Sequence, residues 1–215
     1  MITLKLSKKH SKDNEKLLAA GDIFHASKDE PYIENQEEWG SIAYGWHPRS
    51  NMSHSGCGVI AVWNAFVFLG KIPTEENRIQ LFTKMMAFFE KYGTVLGGLA
   101  GTSLPGVYLY LKKNTKKSHI CVCPGKFHMR SMGINYDAFV VMLLNDRKKL
   151  KKGMHYVCVT KDEMGFKVHN GYKKNRMGKW SESRAFPALD DAIMDIGKNI
   201  FIVAVIGIKK YDENS

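Results

Sequence analysis

The chain has 215 residues, 44% of them hydrophobic and 25% charged, and its 32 Lys and Arg against 21 Asp and Glu give a formal charge of +11 with an isoelectric point near 9.4. This is the balance of a globular protein long enough to bury a full core. Four cysteines are too few for a disulfide scaffold and form no C-x-x-C pair with zinc spacing, and no segment has the pattern of an export signal or the ~20 apolar residues of a membrane span, so the expected location is the cytoplasm.

In chain order, residues 1–45 read as an N-terminal extension packed on a main domain of residues 46–215. An opening strand at 2–6 and a short helix at 13–20 precede an acidic, Gly- and Pro-punctuated stretch. Trp39, Tyr44 and the adjoining Trp46 are too apolar there for a free linker. Residues 59–69 are apolar on every face except at Asn64 and stop at Gly70, the pattern of a helix buried all round that starts near residue 57. Pro73-Thr74-Glu75-Glu76 opens a second helix, in which Ile79, Phe82, Met85, Met86 and Phe89 recur at helical spacing up to Gly93. After the turn Gly97-Gly98-Leu99-Ala100-Gly101, Thr102 or Ser103 caps a third helix ending near Lys113, and a fourth is predicted over 136–145.

The period then changes. Residues 118–123, 155–160, 165–169, 179–186 and 200–208 are rich in Val, Ile, Phe and Trp and read as strands, with a short helix at 189–196. Helices first and strands later predict an α+β architecture, since a parallel α/β sheet would alternate them. Cys121 and Cys123 form a C-x-C on the first of these strands, which points both thiols to one face.

Basicity by itself names no partner. Residues 1–45 hold six lysines against eight acids, so the positive excess lies beyond them. Much of it sits at Lys112, Lys113, Lys116, Lys117 and at Arg147, Lys148, Lys149, Lys151, Lys152, each run following a stretch that reads as helix, whose last turn favours cations. No nucleic-acid motif and no basic stretch interleaved with aromatics accompanies them, so no specific nucleic acid is expected.

The candidate nucleophile is Cys57. A thiol becomes a competent nucleophile as the thiolate, and a helix N-terminus favours that form by placing unpaired N–H groups and the positive end of the dipole at the sulfur. Gly56 and Gly58 on either side allow a substrate backbone to approach without meeting a Cβ. A thiolate also needs a base whose ring is held by a third group. His155 begins one strand and Asn170 ends the next; Asp162-Glu163-Met164-Gly165 turns between them, so the hairpin brings the two together. His169 competes with Asn170, but neighbours on a strand face opposite sides, and the spacing favours Asn170. His54, three residues before Cys57, is a candidate cleft residue. The other histidines have no metal-ligand spacing, and no cofactor is expected.

The runs N-M-S-H-S-G-C-G-V-I-A-V-W-N-A-F, G-M-H-Y-V-C-V and V-H-N-G-Y together resemble the papain-like cysteine peptidases, most closely their compact bacterial branch of double-glycine leader peptidases and related domains. The resemblance spans about 46–208 and implies a papain-like fold with a Cys57, His155 and Asn170 triad acting on a peptide or amide substrate through an acyl-enzyme. It implies an oxyanion hole from the Cys57 backbone and from Asn51, which stands six residues before Cys57 where the family has Gln. It also implies that Tyr172 shields the Asn–His bond. Related architectures pass the acyl group to an amine or thiol, and a non-catalytic peptide- or partner-binding module of the same fold is a third expectation.

Overall fold

The computed structural model describes residues 2–20, 32–72, 75–115, 120–124, 129–145, 153–171, 184–197 and 199–210. The chain divides into two compact units, Met1–Leu111 and Lys112–Ser215, so residues 1–45 share a unit with residues 46–111. The first unit is helical: α1 (Ile2–Ala20), α2 (Met52–Ser55), α3 (Cys57–Phe68), α4 (Glu75–Tyr92) and α5 (Leu104–Asn114), the last running across the unit boundary.

The opening strand is absent, because residues 2–6 are the first turns of α1. The alternation I-T-L-K-L runs with no Gly or Pro into the segment that ends E-K-L-L-A-A, and the longer helical register prevails. His10, Asn14 and Leu18 follow one another at four-residue spacing and so share one face of this helix. The helix packs along α4, where His10 Nδ1 lies 3.0 Å from Glu90 Oε1. The buried Asn14 amide grips both backbone groups of Ala43, donating to its carbonyl at 2.8 Å and accepting from its N–H at 3.0 Å.

Ten residues of α3, from Cys57 through Phe66, are buried, which accounts for its lack of a polar face. Asn64, the exception in the pattern, donates to the Ile33 carbonyl at 2.9 Å and accepts the Ile33 N–H at 2.8 Å. The helix thereby holds the segment before α2. On α4, Phe82, Met85, Met86 and Phe89 are buried as their spacing predicts, with Phe82 packed between Trp39 and Trp63 at ring-centroid distances of 5.0 Å. The expected helix opening at Pro73 and Thr74 lies outside the described residues. Ser103 caps α5, its Oγ accepting the Gly106 N–H at 3.1 Å.

The second unit is a five-stranded antiparallel sheet in the order β1-β5-β2-β3-β4, with β1 (Ile120–Pro124), β2 (Ala138–Leu144), β3 (Met154–Asp162), β4 (Gly165–His169) and β5 (Phe201–Ile208). Two short helices, α6 (Met129–Asn135) and α7 (Leu189–Asp195), accompany it. The architecture is therefore α+β with segregated helices and strands.

Residues 138–144 are not a helix but the central strand, paired with β3 on one side and β5 on the other. A-F-V-V-M-L-L has no polar position because both faces of a central strand are buried, and a short apolar run of that kind has no period to tell it from a buried helix. The helix lies just earlier, as α6. Of the strand expected over 179–186, residues 179–183 lie outside the described residues. Phe186 forms a two-bond bridge with Phe166, at 2.7 and 2.9 Å. One face of the sheet carries Phe139, Val141, Val157, Val159, Val168 and Val205 into a core with Met132, Leu189 and Ile193 of the two helices. None of the described helices is long and apolar enough to cross a membrane.

Candidate active site

The residues singled out by sequence fall into two groups, one in each unit. Asn51, His54, Gly56, Cys57 and Gly58 belong to the first; His155 and Asn170 belong to the second, and Tyr172 lies outside the described residues.

In the first unit Cys57 is the opening residue of α3 and is buried, at 6% exposure. The N-cap position is Gly56, which offers no side-chain acceptor, so the first N–H groups of α3 are not consumed by a cap side chain. The turn before it is held from several sides. Asn51 caps α2, its Oδ1 accepting the His54 N–H at 2.9 Å. The cap uses the oxygen of the amide and leaves Nδ2 as the donor end, which is the chemistry an oxyanion hole requires.

Gln36 Nε2 donates to the carbonyls of Met52 and Ser53 at 3.0 and 2.8 Å, satisfying carbonyls of the short α2. Thr102 Oγ1 donates to the Ser55 carbonyl at 3.2 Å and sits 2.9 Å from the Tyr44 hydroxyl, which therefore donates to it. Ser50 Oγ donates to Ser55 Oγ at 3.1 Å. The roles of Gln36 and Thr102 carry no sequence signal, since no local pattern links residues 16 to 58 positions apart.

The two glycines have a reason other than substrate approach. A Cβ at Gly56 would lie 2.5 Å from Met52 Cε, and one at Gly58 would lie 2.7 Å from Thr102 Cβ. Both are required by packing inside the unit. His54 is exposed, with its backbone rather than its ring engaged by Asn51.

In the second unit His155 lies near the start of β3, opposite Leu143 of β2, and is partly buried. The β3–β4 register reaches the pair Cys158 and His169, where β4 ends, and Asn170 follows directly. His155 Nε2 is 2.8 Å from the main-chain carbonyl oxygen of Asn170. The acceptor of this bond is the backbone carbonyl of Asn170. His169 faces the other way, fully buried at 1% exposure with Nε2 3.0 Å from Thr160 Oγ1.

Elsewhere in this unit Cys123 is buried and Cys121 half-buried on β1, and none of the four cysteines forms a disulfide. Burial pushes the Cys123 thiol up, and neighbouring Cys121 adds to the effect. The Tyr136 phenol is likewise pushed up, first by burial and then by its hydrogen bond to Cys121. Among the described residues no group of three or more His, Cys, Asp and Glu is arranged to hold a metal ion.

Comparison of the chain with protein-family models, with curated proteins and with solved structures gave no match.

Proposed function

We propose that the protein is a thiol hydrolase of papain-like fold, a cysteine peptidase that cleaves a peptide or amide bond through Cys57, His155 and Asn170. The observation that supports this most is the 2.8 Å bond from His155 Nε2 to the Asn170 carbonyl. A strand-borne imidazole held by the end of the next strand is what a thiolate nucleophile needs as its partner, and Cys57 stands at the N-terminus of a buried helix.

In this reading the Cys57 proton passes to His155 and the thiolate attacks the substrate carbonyl. The resulting oxyanion accepts hydrogen bonds from the Cys57 backbone N–H and Asn51 Nδ2. Collapse expels the amine, which takes the proton from His155, and leaves a thioester on Cys57. Water, deprotonated by His155, then attacks the thioester; the acid is released and the thiol restored.

The test is covalent labelling with a peptidyl electrophile directed at thiols. Wild-type protein is expected to be labelled at Cys57. Cys57→Ala should abolish labelling with its melting temperature nearly unchanged, and His155→Ala should slow labelling at least tenfold at neutral pH. Equal labelling of the Cys57→Ala variant, or a pH profile of Cys57 alkylation that inflects at the ordinary thiol value, refutes the assignment.

A further inference from the structure

Asn170 is one of two non-glycine residues among those described whose φ is positive, at +57°, with Leu96 the other. Left-handed backbone is costly for most L-residues and least so for Asn, Asp and Gly. In a continuing strand the carbonyl of residue 170 would lie in the plane of the sheet, whereas the His155 side chain stands roughly perpendicular to it. The left-handed turn at the end of β4 swings this carbonyl out of the ladder to within 2.8 Å of Nε2.

The next residue keeps the turn in place. A Cβ at Gly171 would lie 2.5 Å from Val168 Cγ1 and 3.4 Å from Ile196 Cγ1, so the chain folds back closely over the end of its own strand and α7. Val168 is fully buried and belongs to the sheet core. Both the conformation of residue 170 and the packing of residue 171 therefore define where the carbonyl points.

We propose that the positioning group for His155 is the main-chain carbonyl of residue 170, aimed by that residue's left-handed conformation and by the packing of Gly171 on Val168. Asn is present for its backbone conformation, and its side-chain amide is dispensable for orienting the ring. A carbonyl can only accept, so Nε2 carries the hydrogen and Nδ1 is the basic nitrogen of the neutral imidazole. The tautomer stands by itself; its catalytic consequence rests on the hydrolase reading above.

The experiment is long-range 15N–1H correlation of the His155 ring in wild type, Asn170→Gly, Asn170→Ala and Gly171→Ala. Asn170→Gly keeps the carbonyl and enters the left-handed region freely, so it is expected to retain the Nε2–H tautomer. Asn170→Ala keeps the carbonyl under strain and should retain the tautomer at a lowered melting temperature. Gly171→Ala, with the Asn170 side chain intact, should shift the ring toward a tautomer mixture. A folded Asn170→Gly variant that populates the Nδ1–H form overturns the proposal, as does a Gly171→Ala variant whose ring signals match wild type. Failure of the hydrolase reading shows separately, as absence of Cys57 labelling in a wild type whose Nε2–H signature is intact.

Discussion

Removing the one polar side chain of α3 tests how residues 32–45 are held. Asn64 is fully buried and makes two hydrogen bonds to Ile33, one to its N–H at 2.8 Å and one to its carbonyl at 2.9 Å; Ile33 is itself only 4% exposed. Asn64→Ala leaves a buried donor and a buried acceptor without these partners. Each such group costs about 1–3 kcal/mol, so the loss is expected at about 2–5 kcal/mol, a large part of the 5–15 kcal/mol typical of a whole domain.

Urea denaturation followed by tryptophan fluorescence in a Trp180→Phe background reports on the first unit, because the other three tryptophans, Trp39, Trp46 and Trp63, all precede residue 111. Asn64→Leu is the companion variant: it restores the missing volume but not the hydrogen bonds, and should lose nearly as much. Amide exchange at Ile33 should accelerate in both. If both variants lose under about 0.5 kcal/mol, the size of an ordinary surface substitution, the two bonds do not hold the segment and the reasoning fails.

Three other outcomes follow from single sites. Gly58→Ala sets a Cβ 2.7 Å from Thr102 Cβ, and overpacking of this kind costs about 1–3 kcal/mol; thermal unfolding measures it, and an unchanged melting temperature contradicts the packing role of this glycine. Burial pushes the Tyr110 phenol up from 10.0 to about 12. The folded state thus holds this proton more tightly than the unfolded state, and the associated stability, about 2 kcal/mol, is complete below pH 10 and lost as pH rises toward 12; Tyr110→Phe should flatten the slope of stability against pH in that window, and an identical slope refutes it. The buried Glu90 accepts the Gly45 N–H at 3.0 Å and faces His10 Nδ1 at 3.0 Å, so Glu90→Gln, which keeps one acceptor and loses the charge, is expected to destabilise by about 1–3 kcal/mol in denaturant titration.

Where the sequence was readable, one residue pattern had one physical cause. The helix at Cys57 showed itself because a segment buried on all sides has no polar face, and the β3–β4 hairpin because alternation and a polar turn agree. The same burial hid β2, whose apolar run carries no period. The interleaved bonds of Gln36, Thr102 and Tyr44 around the Cys57 turn were invisible because each joins residues far apart in the chain. The carbonyl acceptor at His155 was invisible for a related reason: a pattern of side chains cannot display a carbonyl, and the positive φ of Asn170 directs it at the ring. The charge argument changed in the same way. Lys112 and Lys113 do close α5, but the run at 147–152 follows a strand, so a helix dipole does not account for it.

Cys57 and His155 belong to separate units, which makes a double-variant test of the proposed pairing informative. Gln36, Asn51 and Thr102 hold the Cys57 turn, and the carbonyl of residue 170 bonds the His155 ring. Thr102→Val removes the hydroxyl that bonds the Ser55 carbonyl, and Gly171→Ala displaces the turn after β4. In the proposed pairing the imidazole takes the proton of the thiol and the two act together, so once either is displaced most of the rate is already gone, and the double variant should be labelled little more slowly than the slower single one. Labelling rates that fall by the product of the two single effects would mean that Cys57 reacts without His155, and the pairing would have to be abandoned.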